Sequence, residues 1–179
     1  MTNIKVIIGS TREARFGDKA GTWISEELKK QADTSVEVLD LRDYDMPFFN
    51  EAASALYKSK PFENEAVARF TLKIAEADAF VIVTPEYNHG TSAVLKNALD
   101  WVYQEWNNKP VAFVSYGSNG GARAVEQLRL NAIELHMAPI HDAIHINGEQ
   151  YFPVLFGQAN AGELFASLTD KASAMITQL

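Results

Sequence analysis

Cysteine is absent from the 179 residues. That excludes a disulfide framework, a thiolate nucleophile, a redox dithiol, and any zinc or iron–sulfur site held by cysteine. Positive charge is also scarce: 16 Lys+Arg stand against 23 Asp+Glu, a formal net charge of -7. A binder of nucleic acid or of an anionic membrane surface needs a basic face, and this balance argues against both partners. No apolar run approaches the length of a bilayer span, and Met1-Thr2-Asn3-Ile4-Lys5 leads into a strand-like segment rather than a signal peptide. The expectation is a cytoplasmic protein whose residues 1–179 form a single domain, a length sufficient for a core without staples.

What is present is a repeating alternation. Ile4-Lys5-Val6-Ile7-Ile8-Gly9 is short and rich in β-branched residues, the pattern of a buried strand. Ala20, Trp23, Ile24 and Leu28 then recur at helical spacing from Asp18, a candidate N-cap, to Gln31. Further strands are predicted at 35–40, 79–84, 110–115 and 139–146. Further helices are predicted around Val67–Ile74, Val94–Val102, Ala122–Leu135 and Leu164–Ile176. Five strands alternating with five helices imply βαβ units and an open parallel sheet. Residues 42–61 read as a long loop, and loops of that length in compact domains are usually functional.

Ligands of such sheets bind beyond the carboxyl ends of the strands, at a topological switch point. Three loops there are unusual. After the first strand, Gly9-Ser10-Thr11-Arg12-Glu13-Ala14-Arg15-Phe16-Gly17 combines hydroxyls, two arginines and glycines before a helix, a composition suited to a phosphate. It has neither the P-loop spacing nor G-x-G-x-x-G, so its alternative is a polar strand-to-helix turn. After the third strand, Thr84-Pro85-Glu86-Tyr87-Asn88-His89-Gly90 offers an aromatic ring and an amide to a flat heterocycle, or is a plain turn. After the fourth, Ser115-Tyr116-Gly117-Ser118-Asn119-Gly120-Gly121 allows backbone to approach a ligand closely. In the strand order 2-1-3-4-5 these three loops are neighbours, and one shared site accounts for all of them.

Other chemistries find no support. His141 and His145, four apart on a strand, are separated by about 13 Å, too far to share a metal. No G-x-S-x-G elbow surrounds Ser10, Ser92 or Ser115. Asp43, Asp45 and Glu51 read as solvated loop charges, and Trp101 and Trp106 as anchors of a core or a subunit contact. No catalytic side chain and no metal ligand is assigned.

Gly9-Ser10-Thr11-Arg12, Pro85-Glu86-Tyr87-Asn88, Leu95-Lys96-Asn97-Ala98-Leu99-Asp100-Trp101, Lys109-Pro110, Ser115-Tyr116-Gly117 and Gly120-Gly121 resemble, in order, the NADPH-dependent FMN reductase family of flavodoxin-like proteins. The resemblance runs from about residue 3 to 135. It implies a flavodoxin-like three-layer sandwich, a five-stranded parallel sheet of order 2-1-3-4-5 with helices on both faces. It also implies noncovalent FMN, its phosphate held by Ser10, Thr11 and Arg12 with the turn through Arg15, Phe16 and Gly17. The isoalloxazine would lie on Pro85, Glu86, Tyr87 and Asn88, with Ser115, Tyr116, Gly117 and Gly120 along the opposite side. The family often has Ser, Thr or Asn near the end of the first loop, where this chain has Phe16-Gly17. The implied activity is hydride transfer from NADPH or NADH through FMN to a flavin, quinone or similar acceptor by ping-pong kinetics. The implied assembly is a homodimer or homotetramer, with residues 42–61 and the Lys96–Trp101 helix near the subunit contact. Two alternatives are a flavodoxin-type electron carrier without NAD(P)H oxidation of its own and a flavin-free nucleotide-binding module on the same scaffold.

Overall fold

A computed structural model describes residues 1–57 and 62–179; the last four positions of the long loop predicted at 42–61 lie outside the described residues. Five strands, β1 (Thr2–Ile8), β2 (Thr34–Asp40), β3 (Ala79–Pro85), β4 (Pro110–Tyr116) and β5 (Ala138–Ile146), form one sheet of order β2-β1-β3-β4-β5. Every pairing is parallel. The predicted order is therefore the observed one.

The physical reason is visible along each strand. All seven residues of β3 are buried, as a central parallel strand covered on both faces requires. Alternate residues point to opposite faces. Val81 and Val83 join Ile4 and Val6 in one core, while Phe80 and Ile82 join Ile7 in the other. The first core packs against α1 (Gly17–Lys29), α6 (Ala161–Phe165) and α7 (Thr169–Ile176) through Ile24, Leu28, Phe165 and Met175. The second packs against α2 (Glu65–Ala75), α3 (Ala93–Trp101) and α4 (Ala122–Glu134) through Phe70, Ile74, Leu99 and Leu128. Among the described residues, no helix is long and apolar enough to cross a membrane.

Three sequence expectations need correction. Helix α1 starts at Gly17 after Phe16, which makes no side-chain cap bond, and the carboxylate of Asp18 instead accepts from Nε of Arg15 at 2.7 Å. The single helix predicted over Leu164–Ile176 is broken into α6, a 3-10 turn at Ala166–Leu168, and α7. Phe165, Leu168, Ala172 and Ile176 nevertheless stay buried on one side. A further helix, α5 (Gly148–Leu155), was not foreseen. Gly148 and Pro153 are breaker signals in a sequence, but a proline in a short helix sacrifices one donor only, and Asn147 caps the first turn by accepting from the amide of Glu149.

The loop after β2 is fastened to α3. Asn97 accepts from the amide of Phe49 (2.8 Å) and donates to the carbonyl of Pro47 (2.9 Å), which also accepts from the indole N–H of Trp101 (2.7 Å). Trp101 and Trp106 are core anchors, 3% and 0% exposed. Asn97→Ala removes two of these bonds from a nearly buried site, at about 1 kcal/mol each. We expect amide exchange at Phe49 to accelerate about tenfold or more, as followed by NMR, while that of β3 is unchanged. Equal acceleration in β3 would mean that the loop is not an independent opening unit.

Candidate functional site

The carboxyl ends of β1, β3 and β4 are adjacent, and the loops that leave them meet. A cavity of about 240 Å³ is walled by Arg12, Arg15 and Phe16 from the first loop, Pro85, Glu86 and Tyr87 from the second, and Tyr116 and Gly117 from the third. A second cavity of about 360 Å³, lined by Thr11, Met46, Phe48 and residues of α3, shares Arg12 and Tyr87 with it. These two side chains form the partition. The phenol of Tyr87 is 2.8 Å from Oγ of Ser10, and the guanidinium of Arg12 lies over its ring, 5.7 Å from the centroid.

The two arginines of the first loop are not equivalent. Arg15 is buried, and its guanidinium makes four hydrogen bonds, to the carboxylates of Asp18 and Asp40 and the carbonyl of Ser10. Its charge is committed to holding the loop. Arg12 is exposed and has no carboxylate partner among the described residues. It is the cation open to an incoming anion. Phe16 is buried against Tyr116 (5.0 Å between centroids), Tyr151 (5.0 Å) and Phe165 (5.8 Å), so its ring belongs to the core beneath the loop. Gly17 opens α1 directly behind it.

The second loop is a tight two-residue turn. Tyr87 and Gly90 exchange backbone bonds of 2.8 and 3.1 Å, and Asn88 (φ 50°) and His89 (φ 73°) are both left-handed. Such backbone is unfavourable for residues other than glycine, least so for asparagine. Gln127 supports it by donating to the carbonyl of His89 at 2.8 Å. Glu86 turns toward α4, where its carboxylate accepts from the amide of Arg123 (3.2 Å) and pairs with the Arg123 guanidinium. Asn88 itself is exposed and lies outside the cavity wall.

The third loop needs its glycines. Gly120 (φ 69°) and Gly121 (φ 74°) are left-handed, and a Cβ on them would stand 2.9 Å from Cβ of His145 and 2.7 Å from Cβ of Ser115. The loop is thereby pressed onto the ends of β4 and β5. The hydroxyl of Ser115 is turned inward, donating to the carbonyl of Gly120 at 2.6 Å and lying 2.8 Å from Nδ1 of His145. Since that hydroxyl has one proton, Nδ1 of His145 must carry the hydrogen of the second bond. Burial lowers the pKa of His145 and keeps the ring neutral near pH 7. Burial also raises that of Tyr116, whose hydroxyl lies beneath the cavity close to Ser10.

Sequence reasoning missed the far wall, built by Tyr151, Phe152 and Leu155 of α5. Their i, i+1, i+4 spacing is a helical signal, hidden by Gly148 and Pro153. It also missed Met46 and Phe48 of the second cavity and Arg42, which donates to the carbonyls of Arg12 and Glu13. The site offers free cationic charge at one end, and a phenol platform and glycine backbone at the other.

Comparison with known proteins finds relatives of one kind. The model of the family described as NADPH-dependent FMN reductase matches residues 2–150. An NAD(P)H-dependent FMN reductase of Schizosaccharomyces pombe is 38% identical over 143 residues, 79% of this chain and 72% of that protein. A quinone reductase of Pseudomonas putida is 31% identical over 142 residues, covering 75% and 72%. The solved structure of the flavoenzyme NAD(P)H:(acceptor) oxidoreductase of Paracoccus denitrificans superposes with a TM-score of 0.71 at 25% identity, covering 99% and 97%.

Proposed function

Because the chain belongs to the NADPH-dependent FMN reductase family, and is an NAD(P)H-dependent, FMN-using oxidoreductase of flavodoxin-like fold, we propose that the cavity between the three loops holds its FMN. We propose further that NAD(P)H and a small electron acceptor, a flavin or a quinone, use that site in turn by a ping-pong mechanism. One observation carries the reading. The amides of Thr11, Glu13 and Ala14 donate to no protein acceptor among the described residues, and they sit beside the uncommitted cation of Arg12. A dianionic phosphate satisfies such a cluster.

FMN therefore fits the residues present. In this reading Arg12, the hydroxyls of Ser10 and Thr11 and the backbone through Phe16 and Gly17 hold the phosphate. Pro85, Glu86 and Tyr87 form the platform of the ring, and Tyr116 and Gly117 close the other side, while Asn88, Ser115 and Gly120, which do not line the cavity, shape the turns behind it. The bound flavin supplies hydride chemistry between a nicotinamide and the acceptor, and the polypeptide orients it and tunes it through hydrogen bonds. The ring of Tyr116 lines the cavity, and burial keeps its hydroxyl protonated. Phe16, Tyr151 and Phe152 keep water from that side of the cavity.

Residues 1–179 then act as one cytoplasmic FMN-binding unit in a homodimer or homotetramer. Phe48 and Tyr57, 77% and 76% exposed, suit a subunit contact beside α3. The test begins with the purified protein: it is expected to be yellow and to oxidise NAD(P)H when given benzoquinone or free flavin. Initial rates at several fixed quinone concentrations should give parallel double-reciprocal lines. Intersecting lines would reject alternation at one site, and a colourless protein that takes up no FMN would reject the cavity assignment altogether.

A further inference from the structure

Two arginines hold the loop between β1 and α1, Arg42 from outside the cavity and Arg15 from within the loop, at the cavity wall. Arg42, on the turn after β2, donates from one terminal nitrogen to the carbonyl of Arg12 and, at 2.9 Å, to that of Glu13. Arg15 donates to the carbonyl of Ser10. Asp40 joins the two, binding the guanidinium of Arg15 and accepting from the amide of Arg42 at 2.9 Å. Three carbonyls of one short loop are thus drawn toward guanidinium groups.

A trans peptide points its carbonyl and the following N–H in opposite directions. Pulling the carbonyls of Arg12 and Glu13 toward Arg42 therefore turns the amides of Glu13 and Ala14 the other way. Those two amides, with those of Thr11, Arg15 and Phe16, find no protein acceptor among the described residues. Arg12 and Ala14 line the cavity, whereas Arg42 does not.

We infer that Arg42 is a positioning residue that orients the backbone amides of Glu13 and Ala14 toward the FMN phosphate. The inference rests on the reading that this cavity binds FMN. Arg42 acts through the loop and does not touch the phosphate. Its role rests on one terminal nitrogen serving two neighbouring carbonyls. The rest of the flavin makes no demand on these amides, so the effect belongs to the 5′-phosphate alone.

Riboflavin, which lacks that phosphate, separates the cases. Apoprotein is titrated with FMN and with riboflavin, following flavin fluorescence, for wild type and Arg42→Ala. The Arg42 side chain is 34% exposed, so the core survives its removal, and thermal midpoints are recorded alongside. Arg42→Ala is expected to bind FMN about tenfold more weakly, the effect of losing a charged group's hydrogen bonds, with riboflavin affinity within about twofold of wild type. Equal weakening toward both flavins overturns the inference, since Arg42 would then support the pocket generally. An unchanged FMN affinity in Arg42→Ala overturns it with FMN binding intact, whereas a wild-type protein that binds neither flavin removes the proposed function itself.

Discussion

Arg12→Ala is expected to weaken FMN binding about 30- to 100-fold, the loss of a charge-assisted bond to phosphate, while the thermal midpoint stays within about 2 °C of wild type. Arg12 is exposed, lies over Tyr87, and has no carboxylate partner among the described residues. Its removal therefore strands no buried charge and opens no cavity. The same substitution should leave riboflavin affinity nearly unchanged, apart from the cation–π contact with Tyr87, worth about 0.5–1 kcal/mol at an exposed site. Titration by fluorescence together with a thermal melt decides the matter. Unchanged FMN affinity would show that the phosphate is held elsewhere.

Arg15→Met is expected to do the opposite: to cost about 3 kcal/mol of folding stability at neutral pH, as breaking a buried ion pair does. The lower end of the usual range applies because the Asp40 and Asp18 side chains remain 24% and 51% exposed and regain some water. Burial works against ionisation of Asp40, but the hydrogen bonds from Arg15 and from the Arg42 amide outweigh it and hold its carboxyl below the usual range. The unfolded chain therefore takes up the proton first as pH falls. The stabilisation is complete above the unfolded carboxylate value, about 3.9, and drains away as pH drops through the lower folded value. In Arg15→Met this contribution is missing, so the acid limb of stability against pH should be shallower. Adding Asp40→Asn to Arg15→Met should cost almost nothing further, since the pair is already broken. Full additivity of the two substitutions in urea unfolding would refute the coupling.

Together the two arginines show what a short sequence motif can and cannot disclose. Both stand in one loop of hydroxyls and glycines, whose composition suits a phosphate or a polar strand-to-helix turn. Nothing local distinguishes their roles. Asp40 lies 25 residues beyond Arg15, and Glu13 lies 29 residues before Arg42. The partners meet because β1 and β2 pair in parallel with Ile8 opposite Asp40, which brings the turn after β2 alongside the first loop.

The same division holds across the molecule. Strand runs, helical periodicity and their alternation were legible because they follow from local geometry and from burial on two faces of a sheet. Order 2-1-3-4-5 followed from that alternation and the family motifs, and it placed three loops together before any side chain was seen. Cysteine's absence left redox chemistry to a bound group, which the same motifs named. The tertiary structure decided which groups are spent and which are free. It committed Arg15 to Asp18 and Asp40, turned Ser115 toward Gly120 and His145, and, among the described residues, left Arg12 without a carboxylate and the amides of Thr11, Glu13 and Ala14 without a protein acceptor. It also added α5, whose glycine and proline conceal a helix until packing against the site makes one worthwhile. Hydrogen-bond partners separated by tens of residues are set by strand register and packing, and no local pattern encodes them.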